Sequence, residues 1–393
     1  MSVTPGIAAS ERIDVMFHAH DLGLGHVSRG MTILASLANR RPGSRLMLVS
    51  GSPFVQSLSF PEVDWVKLPS YGTIVAGGQI HAVNGPGGLS LNSTQRLRSR
   101  MLADLVAESR PRIVVVDHRP KGQHDELLAA LAASDPDTRW ILGMRAIVGN
   151  VEGVWTEEAS AVFRRHYDEM FWYGDSRIVG AGAIDGLASH FGTQPRELGY
   201  VSRAAFLSAV GAVEVADHKA HTGVLSVTWF SRETLTFLEE FLQAVRSRMT
   251  GIDQWHCFLG GGEDGDRKQR IVDGLSESTT VHPVSDAMRY LGLLASAGVA
   301  VIYAGYNSLL DVIWAGVPTL AVTRHLENRE QVAHAALVSR SVEGLTVIEE
   351  RDVTAAAIRA EIGLLSGRTL HANDFPIDGG LRTASALAAL LDA

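Results

Sequence analysis

Apolar runs of strand length alternate along this chain with longer stretches whose apolar positions recur every three to four residues. In the first half, residues 13–17, 45–50, 63–68, 112–117, 139–143 and 169–173 read as strands. Between them, residues 28–39, 94–110 and 122–133 carry Leu, Val and Ala at helical spacing, which fits crossover helices on a parallel sheet. The alternation lapses over 174–222, where Gly-Ala-Gly, Gln-Pro and isolated charges replace it. It restarts with strands at 224–228, 255–259, 279–281, 299–303, 318–322 and 345–348 and a helix over 232–248, and an amphipathic helix over 381–391 closes the chain. The expectation is an α/β chain of two Rossmann-like domains facing a central cleft. Residues 1–203 form the first, 204–222 a linker, 223–370 the second, and 371–393 a closing helical segment. Ligands of such domains sit at the carboxyl ends of the strands.

Charge and cysteine content narrow the function classes. The 393 residues hold 35 Lys and Arg against 43 Asp and Glu, a net charge of −8, and no long basic run. Nucleic acid is therefore not an expected partner. The single cysteine, Cys257, excludes an intrachain disulfide and a cysteine zinc site, so a cytoplasmic setting is the default. The first fourteen residues lack a basic n-region and reach Glu11 and Arg12 before any apolar core, so no signal peptide is expected. Residues 290–310 carry no charge, yet Gly292, Gly298, Gly305 and Asn307 interrupt them. They read as a buried strand between two helices rather than a transmembrane segment.

Two stretches carry candidate chemistry. DLGLGHVSRG, residues 21–30, follows the first strand and opens the first helix. Gly23 and Gly25 allow a tight turn with backbone close to a ligand, and a helix start attracts anions, so a diphosphate or a substrate hydroxyl fits there. The dinucleotide fingerprint is incomplete, because its third glycine is missing and no acid closes a second strand for a ribose. His26 alternatively caps a plain strand-to-helix turn. His18 and His20 share a strand face and suit zinc, but no later ligand motif completes a site, so hydrogen-bonded structural histidines are the simpler account.

The second stretch spans residues 281–335. Gly305-Tyr306-Asn307-Ser308 is a small polar turn entering a helix, with Asp311 one turn in. That helix start faces a diphosphate, Ser308 adds a hydroxyl donor, and Asp311 is placed to accept from ribose hydroxyls. Gly316-Val317-Pro318 ends the helix and starts a strand whose carboxyl end delivers Arg324, His325, Glu330 and Gln331.

Residues 281–335 resemble the donor half of the family 28 glycosyltransferases, which have the GT-B fold. The family's glycine-rich turn, helix acid, G-[VT]-P and E-Q pair fall on Gly305, Asn307, Ser308, Asp311, Gly316, Pro318, Glu330 and Gln331. The amino half is similar to a bacterial branch of predicted glycosyltransferases through residues 21–30, 114–127, 142–150, 171–175 and 197–203. Three departures stand out. Asp311 replaces the usual glutamate, Ala146 stands where relatives often have aspartate, and Thr228-Trp229-Phe230-Ser231 replaces a Gly-Gly loop.

The resemblance implies an inverting, metal-independent transferase that uses a nucleoside-diphosphate sugar, with no cofactor and a soluble small-molecule acceptor, as in natural product biosynthesis. His26 is the expected general base, with Asp117 as its orienting group or substitute. Gly23, Arg29, His118 and Arg145 are expected on the acceptor side, and Gly25 and Thr228 near the donor. The helix start at Tyr306, Asn307 and Ser308, with Arg324 or Arg232, is expected to stabilise the diphosphate. His282 and Val284 frame the base through backbone contacts, and His325, Glu330 and Gln331 lie by the sugar. Rival readings are a nucleotide-sugar epimerase of the same fold, a silent nucleotide-sugar binder and, most distantly, a zinc hydrolase. A homodimer is compatible with the sequence.

Overall fold

The computed structural model describes residues 12–21, 23–76, 79–151, 153–213, 219–247, 251–262, 265–324 and 329–393. The chain divides into two compact units, Met1–Val201 with Asp378–Ala393, and Ser202–Ile377.

The first unit is built on a parallel sheet. Its strands are β1 (Val15–His18), β2 (Leu46–Ser50) and β3 (Asp64–Lys67), then, after a hairpin of β4 (Gly72–Ala76) and β5 (Gln79–Val83), β6 (Ile113–Asp117), β7 (Arg139–Arg145), β8 (Glu169–Tyr173) and β9 (Arg196–Glu197). The order is β3-β2-β1-β6-β7-β8-β9, with the antiparallel β4–β5 pair apart. The central strands are covered on both faces, so their sequences are continuous apolar runs rather than alternating ones: Val114, Val115 and Val116 are wholly buried. β1 lies beside the central strand β6, and its chain reverses into the helix Gly23–Arg40, five residues earlier than the periodicity predicts. Gly30 lets that helix lie on the sheet, since a Cβ there would sit 2.6 Å from the Phe17 ring. The close-packing role of a dinucleotide fingerprint's third glycine thus falls to Gly30.

The second unit repeats the plan with β10 (Lys219–Phe230), β11 (Gln254–Gly262), β12 (Thr280–Pro283), β13 (Ala297–Tyr303), β14 (Thr319–Thr323) and β15 (Leu345–Glu349). The order is β12-β11-β10-β13-β14-β15, parallel throughout. The uncharged stretch 290–310 is the end of the helix Ala287–Ala295, all of β13 and the start of the helix Tyr306–Ala315. Among the described residues no helix is long and apolar enough to cross a membrane.

The expected linker and tail need correction. Residues 204–222 include the helix Arg203–Ala209, capped by Ser202, and the first residues of β10. The lapse in periodicity over 174–222 also hides the helix Ala181–Phe191, set off by the positive-φ glycines Gly180 and Gly192. The final helix, Gly379–Asp392, belongs to the first unit, where it packs on Gly23–Arg40. Gly379 permits this return, because a Cβ there would meet the Gly199 carbonyl at 2.4 Å. Arg112 Nη2 then donates to the Leu391 carbonyl at 2.5 Å.

Leu387 is wholly buried in this last helix. Leu387→Ala is expected to lower the unfolding free energy of the first unit by about 2–5 kcal/mol, the range for emptying a core leucine site. Urea denaturation followed by circular dichroism measures it.

Candidate active site

The carboxyl ends of β1, β6 and β7 bring five of the sequence-predicted residues together. His26 stands in the first turn of Gly23–Arg40, Arg29 one turn on, Asp117 at the end of β6, His118 next to it, and Arg145 at the end of β7. Asp117 is the hub. Its Oδ1 accepts from Arg29 Nη2 at 2.7 Å and Nε at 3.3 Å, and its Oδ2 from the Nδ1–H of His26. Asp117 and Arg29 are almost wholly buried, and the His26 side chain is 9% exposed. Burial works to raise the Asp117 pKa, but Arg29 and His26 outweigh it and hold the carboxyl well below its usual range. Burial lowers the His26 pKa, and Asp117 offsets only part of that shift. The imidazole is thus neutral near pH 7, with Nδ1–H on the carboxylate and Nε2 on the opposite ring edge as the proton acceptor.

His118 follows Asp117 with φ +76°, in the left-handed region that costs a residue with a Cβ roughly 1–3 kcal/mol. Its ring centroid is 5.9 Å from that of His26, and its Nε2 accepts from Arg145 Nη2 at 3.3 Å. Burial, and then Arg145, push its pKa well below the ordinary value. Gly122, His124 and Asp125 also have positive φ, so the whole β6 loop is tightly curled.

A second buried network, which the sequence reading missed, braces this cluster. Arg98 is wholly buried and donates to Glu126 at 2.5 and 2.8 Å, to Asp21 at 3.1 Å and to the Pro69 carbonyl at 2.9 Å. Its guanidinium lies 4.5 Å from the Tyr71 ring centroid. Glu126, held at a pKa of about 2 as Arg98 and His18 overcome burial, also bonds His18 Nε2 at 3.0 Å. Asp21 accepts from the Gly51 amide at 2.8 Å. A sequence signal existed: Thr94, Arg98, Leu102 and Val106 form the buried stripe of one helix, and an arginine on such a stripe needs a buried partner. His18 is accounted for by Glu126, and the His20 ring lies 5.0 Å from that of His26. Among the described residues no three His, Cys, Asp or Glu side chains gather as metal ligands.

In the second unit, Tyr306–Ala315 starts at Gly305 without a side-chain cap, and Ser308 is its third residue. The Tyr306 ring lies nearly parallel to His334, with centroids 5.9 Å apart. Asp311 is raised by burial to a pKa of about 7, and Arg203 opposes that shift. Thr228 and Arg232 are exposed, Arg232 opening the helix Arg232–Arg246. Glu330 opens the helix Glu330–Ser341, and His325 lies outside the described residues.

Three expectations change here. Arg324 donates to Thr234 Oγ1 at 2.8 Å and the Trp229 carbonyl at 2.7 Å, and lies 4.1 Å from the Tyr303 ring centroid. It knits strand ends together within the unit, which leaves Arg232 as the exposed cation of the pair. Gln331 Oε1 accepts from the Arg324 amide at 3.4 Å, so this amide oxygen serves the loop. The Val284 N–H is already donated to the Leu259 carbonyl at 3.2 Å and is not available to a base. His282 is buried, stacked on Phe258 at 4.7 Å, with Nε2 3.1 Å from His256 Nδ1.

A comparison with protein-family models finds no match, and no curated protein matches either. Solved structures do match over nearly the whole chain. A UDP-GlcNAc 2-epimerase from Methanocaldococcus jannaschii has a TM-score of 0.59 over 96% of this chain and 99% of its own, at 10% identity. UGT73P12 of Glycyrrhiza uralensis, complexed with glycyrrhetinic acid 3-O-monoglucuronide, scores 0.58 over 97% and 91%, at 14% identity. MurG of Acinetobacter baumannii scores 0.51 over 97% and 98%, at 12% identity. The chain has the GT-B fold. In this GT-B chain a concavity of about 430 Å³ among Ser59, Phe60, Pro61, Val63, Asp64 and Trp65 lies at the amino end of β3, away from the carboxyl strand ends where His26 stands.

The Asp117 carboxylate makes the first unit acid-sensitive. Because its pKa is depressed on folding, its stabilisation is complete above the unfolded value of about 3.9 and is lost as pH falls below it. Asp117→Asn is expected to lower the melting temperature at pH 7, yet to lose less of it than the parent between pH 5 and pH 3. Calorimetric melting across that range tests this.

Proposed function

We propose that the chain is an inverting glycosyltransferase that uses a nucleoside-diphosphate sugar, and the observation that carries this reading is the His26–Asp117 pair. A neutral imidazole anchored through Nδ1 to a buried carboxylate is built to take a proton at Nε2 and to be stabilised once charged. In the reaction, His26 Nε2 removes the proton of an acceptor hydroxyl as its oxygen attacks the anomeric carbon. The bond from that carbon to the diphosphate oxygen breaks, the leaving group keeps the electron pair, and configuration inverts. Asp117 holds the imidazolium without itself becoming protonated. Arg29, tied to Asp117, positions the pair, and His118 and Arg145 flank the acceptor.

The second unit is the donor side in this reading. The uncapped helix start after Gly305, the Ser308 hydroxyl and Arg232 stabilise the diphosphate electrostatically, a role that needs no metal. Asp311 receives the ribose hydroxyls. The likeness to two-domain sugar-nucleotide enzymes supports the class, and the epimerase among them supports a second reading, in which the donor alone is converted. Release of nucleoside diphosphate from a panel of nucleotide sugars, with and without acceptor alcohols, separates the two. The transferase consumes donor only when acceptor is present, whereas the epimerase converts it alone.

His26→Ala is expected to lower turnover by about 10²- to 10⁴-fold while leaving donor affinity within about twofold. Wild-type turnover in this variant across the pH range would move the base elsewhere.

Asp311 yields a pH signature. Its carboxylate forms only as pH rises through about 7, so affinity for a nucleotide sugar, whose own phosphates do not titrate there, is expected to increase from pH 6 to pH 8. Asp311→Asn should flatten that slope. Calorimetric titration at the two pH values reads both, and an unchanged slope would remove Asp311 from the donor site.

A further inference from the structure

Just past Arg145 the polar edge of the first unit gives way to an apolar groove of about 200 Å³. Ala146, Ile147 and Val148 form one side, Trp155 another, and Gly182, Ala183, Gly186 and Leu187 of the helix Ala181–Phe191 the floor. Among the described residues no charged side chain lines it. Gly182 and Gly186 are one turn apart, and a Cβ at either would meet nothing within 4 Å, so the open space begins at the helix backbone itself. The indole of Trp155 is fixed rather than loose. Its Nε1 donates to the Gly149 carbonyl at 2.9 Å, its ring packs edge-on against His190 at 5.3 Å, and the residue remains 36% exposed. A preset, partly exposed aromatic wall over an apolar floor is how small-molecule sites present themselves. An apolar cavity of about 150 Å³ already holds a benzene ring.

A second, independent observation lies on the neighbouring strand end, at His118. His118 Nε2 is occupied by Arg145, which can only donate, so the neutral ring carries its proton on Nδ1. His118 is 97% buried, and among the described residues its Nδ1 has no hydrogen-bond partner. A buried donor left unmade is costly, and an acceptor atom on a ligand relieves that cost. His118 also neighbours the His26 ring, and Arg145 runs directly into Ala146, so the orphan donor, the base and the groove follow one another along the carboxyl edges of β1, β6 and β7.

We propose that the groove binds the flat, apolar body of an acceptor phenol or alcohol, with the acceptor's oxygen-bearing end directed to His118 and His26. This rests on the transferase reading for its chemistry, but the binding it describes needs no donor.

The probe is 4-methylumbelliferone, a fused two-ring phenol, titrated by calorimetry into the full-length protein without nucleotide. Gly186→Leu fills the groove from the helix side and replaces a helical glycine with a better helix former, a change that favours folding. It is expected to weaken binding by about tenfold or more, since the ring's buried area is lost. Trp155→Ala removes the opposite wall from an exposed position and should weaken binding similarly. Nucleoside diphosphate titrated into both variants should bind as in the parent. No binding of the probe by the parent at millimolar concentration, or equal binding by parent and Gly186→Leu, overturns the groove assignment. If the probe binds and Gly186→Leu abolishes binding, yet no nucleotide sugar transfers to it, the groove stands and the transferase reading falls.

Discussion

Burying a carboxylate is the constraint around which the first unit is arranged. Asp117 lies at the end of the central strand β6 with no exposed surface, and a bare carboxylate there would cost several kcal/mol in lost hydration. Arg29 reaches it from the first helix with paired guanidinium contacts, and His26 from the same helix takes the remaining oxygen. Residues three apart on a helix share a face, so one rigid element delivers both partners. The helix must therefore lie close to the sheet, which is why Gly30 cannot carry a side chain, and its first turn must start at Gly23, close to the strand end. Chemistry and packing are here the same requirement: whatever holds the carboxylate charged also fixes which nitrogen of His26 keeps its proton.

The Arg98 network serves that arrangement from outside. Four segments far apart in sequence converge on one guanidinium: the glycine loop through Asp21, the loop before the hairpin through Pro69 and Tyr71, the β6 loop through Glu126, and β1 through Glu126 and His18. Arginine suits this because its donors fan out in one plane and stay charged when buried. Gly51 is pinned in the same knot, since a Cβ there would meet both Arg98 and Asp21 at 2.1 Å. Loss of one member exposes the rest as unpaired buried charge, so the network gives the loops of the candidate site a single geometry rather than added stability.

What was legible in the sequence follows from the range over which each signal acts. Strand and helix alternation is local and continuous, so both sheets and the uncharged stretch around β13 were readable from apolar runs alone. The glycine loop was readable because Gly23, Gly25 and His26 announce a tight strand-to-helix turn. The β4–β5 hairpin and the helix Arg203–Ala209 were not, because each is short and neither shows sustained periodicity. The return of the last helix to the first unit was also hidden, since only Gly379 and Gly380, meeting Gly199 and Thr32 across the chain, permit it. In the candidate site, His26 and Asp117 were paired from the sequence, whereas Arg29, which reaches the same carboxylate from 88 positions away, was named singly. Arg324 and Gln331 show the converse case. Both sit where donor-binding residues are expected, yet their hydrogen bonds go to Trp229, Thr234 and each other, because a buried strand end must satisfy its own polar groups first.

The two units differ in the kind of surface they offer, and that difference bears on the class of reaction. The second unit offers an uncapped helix start, a hydroxyl and an exposed arginine, groups that recognise anions. The first offers a neutral imidazole anchored on a buried carboxylate, a buried N–H with no partner among the described residues, and an apolar groove walled by Trp155. On the proposed transferase reading the aromatic-walled groove has a use, as a seat for an acceptor, that an enzyme rearranging its nucleotide sugar internally does not require. Ala146 sharpens the point: the small apolar residue at the groove's head is also the position where the resembling family often carries an aspartate, and a carboxylate there would put an unpaired charge against the bound ring. On the proposed transferase reading, the small apolar residue that leaves a charge out of the polar edge also keeps the groove apolar for the body of an acceptor.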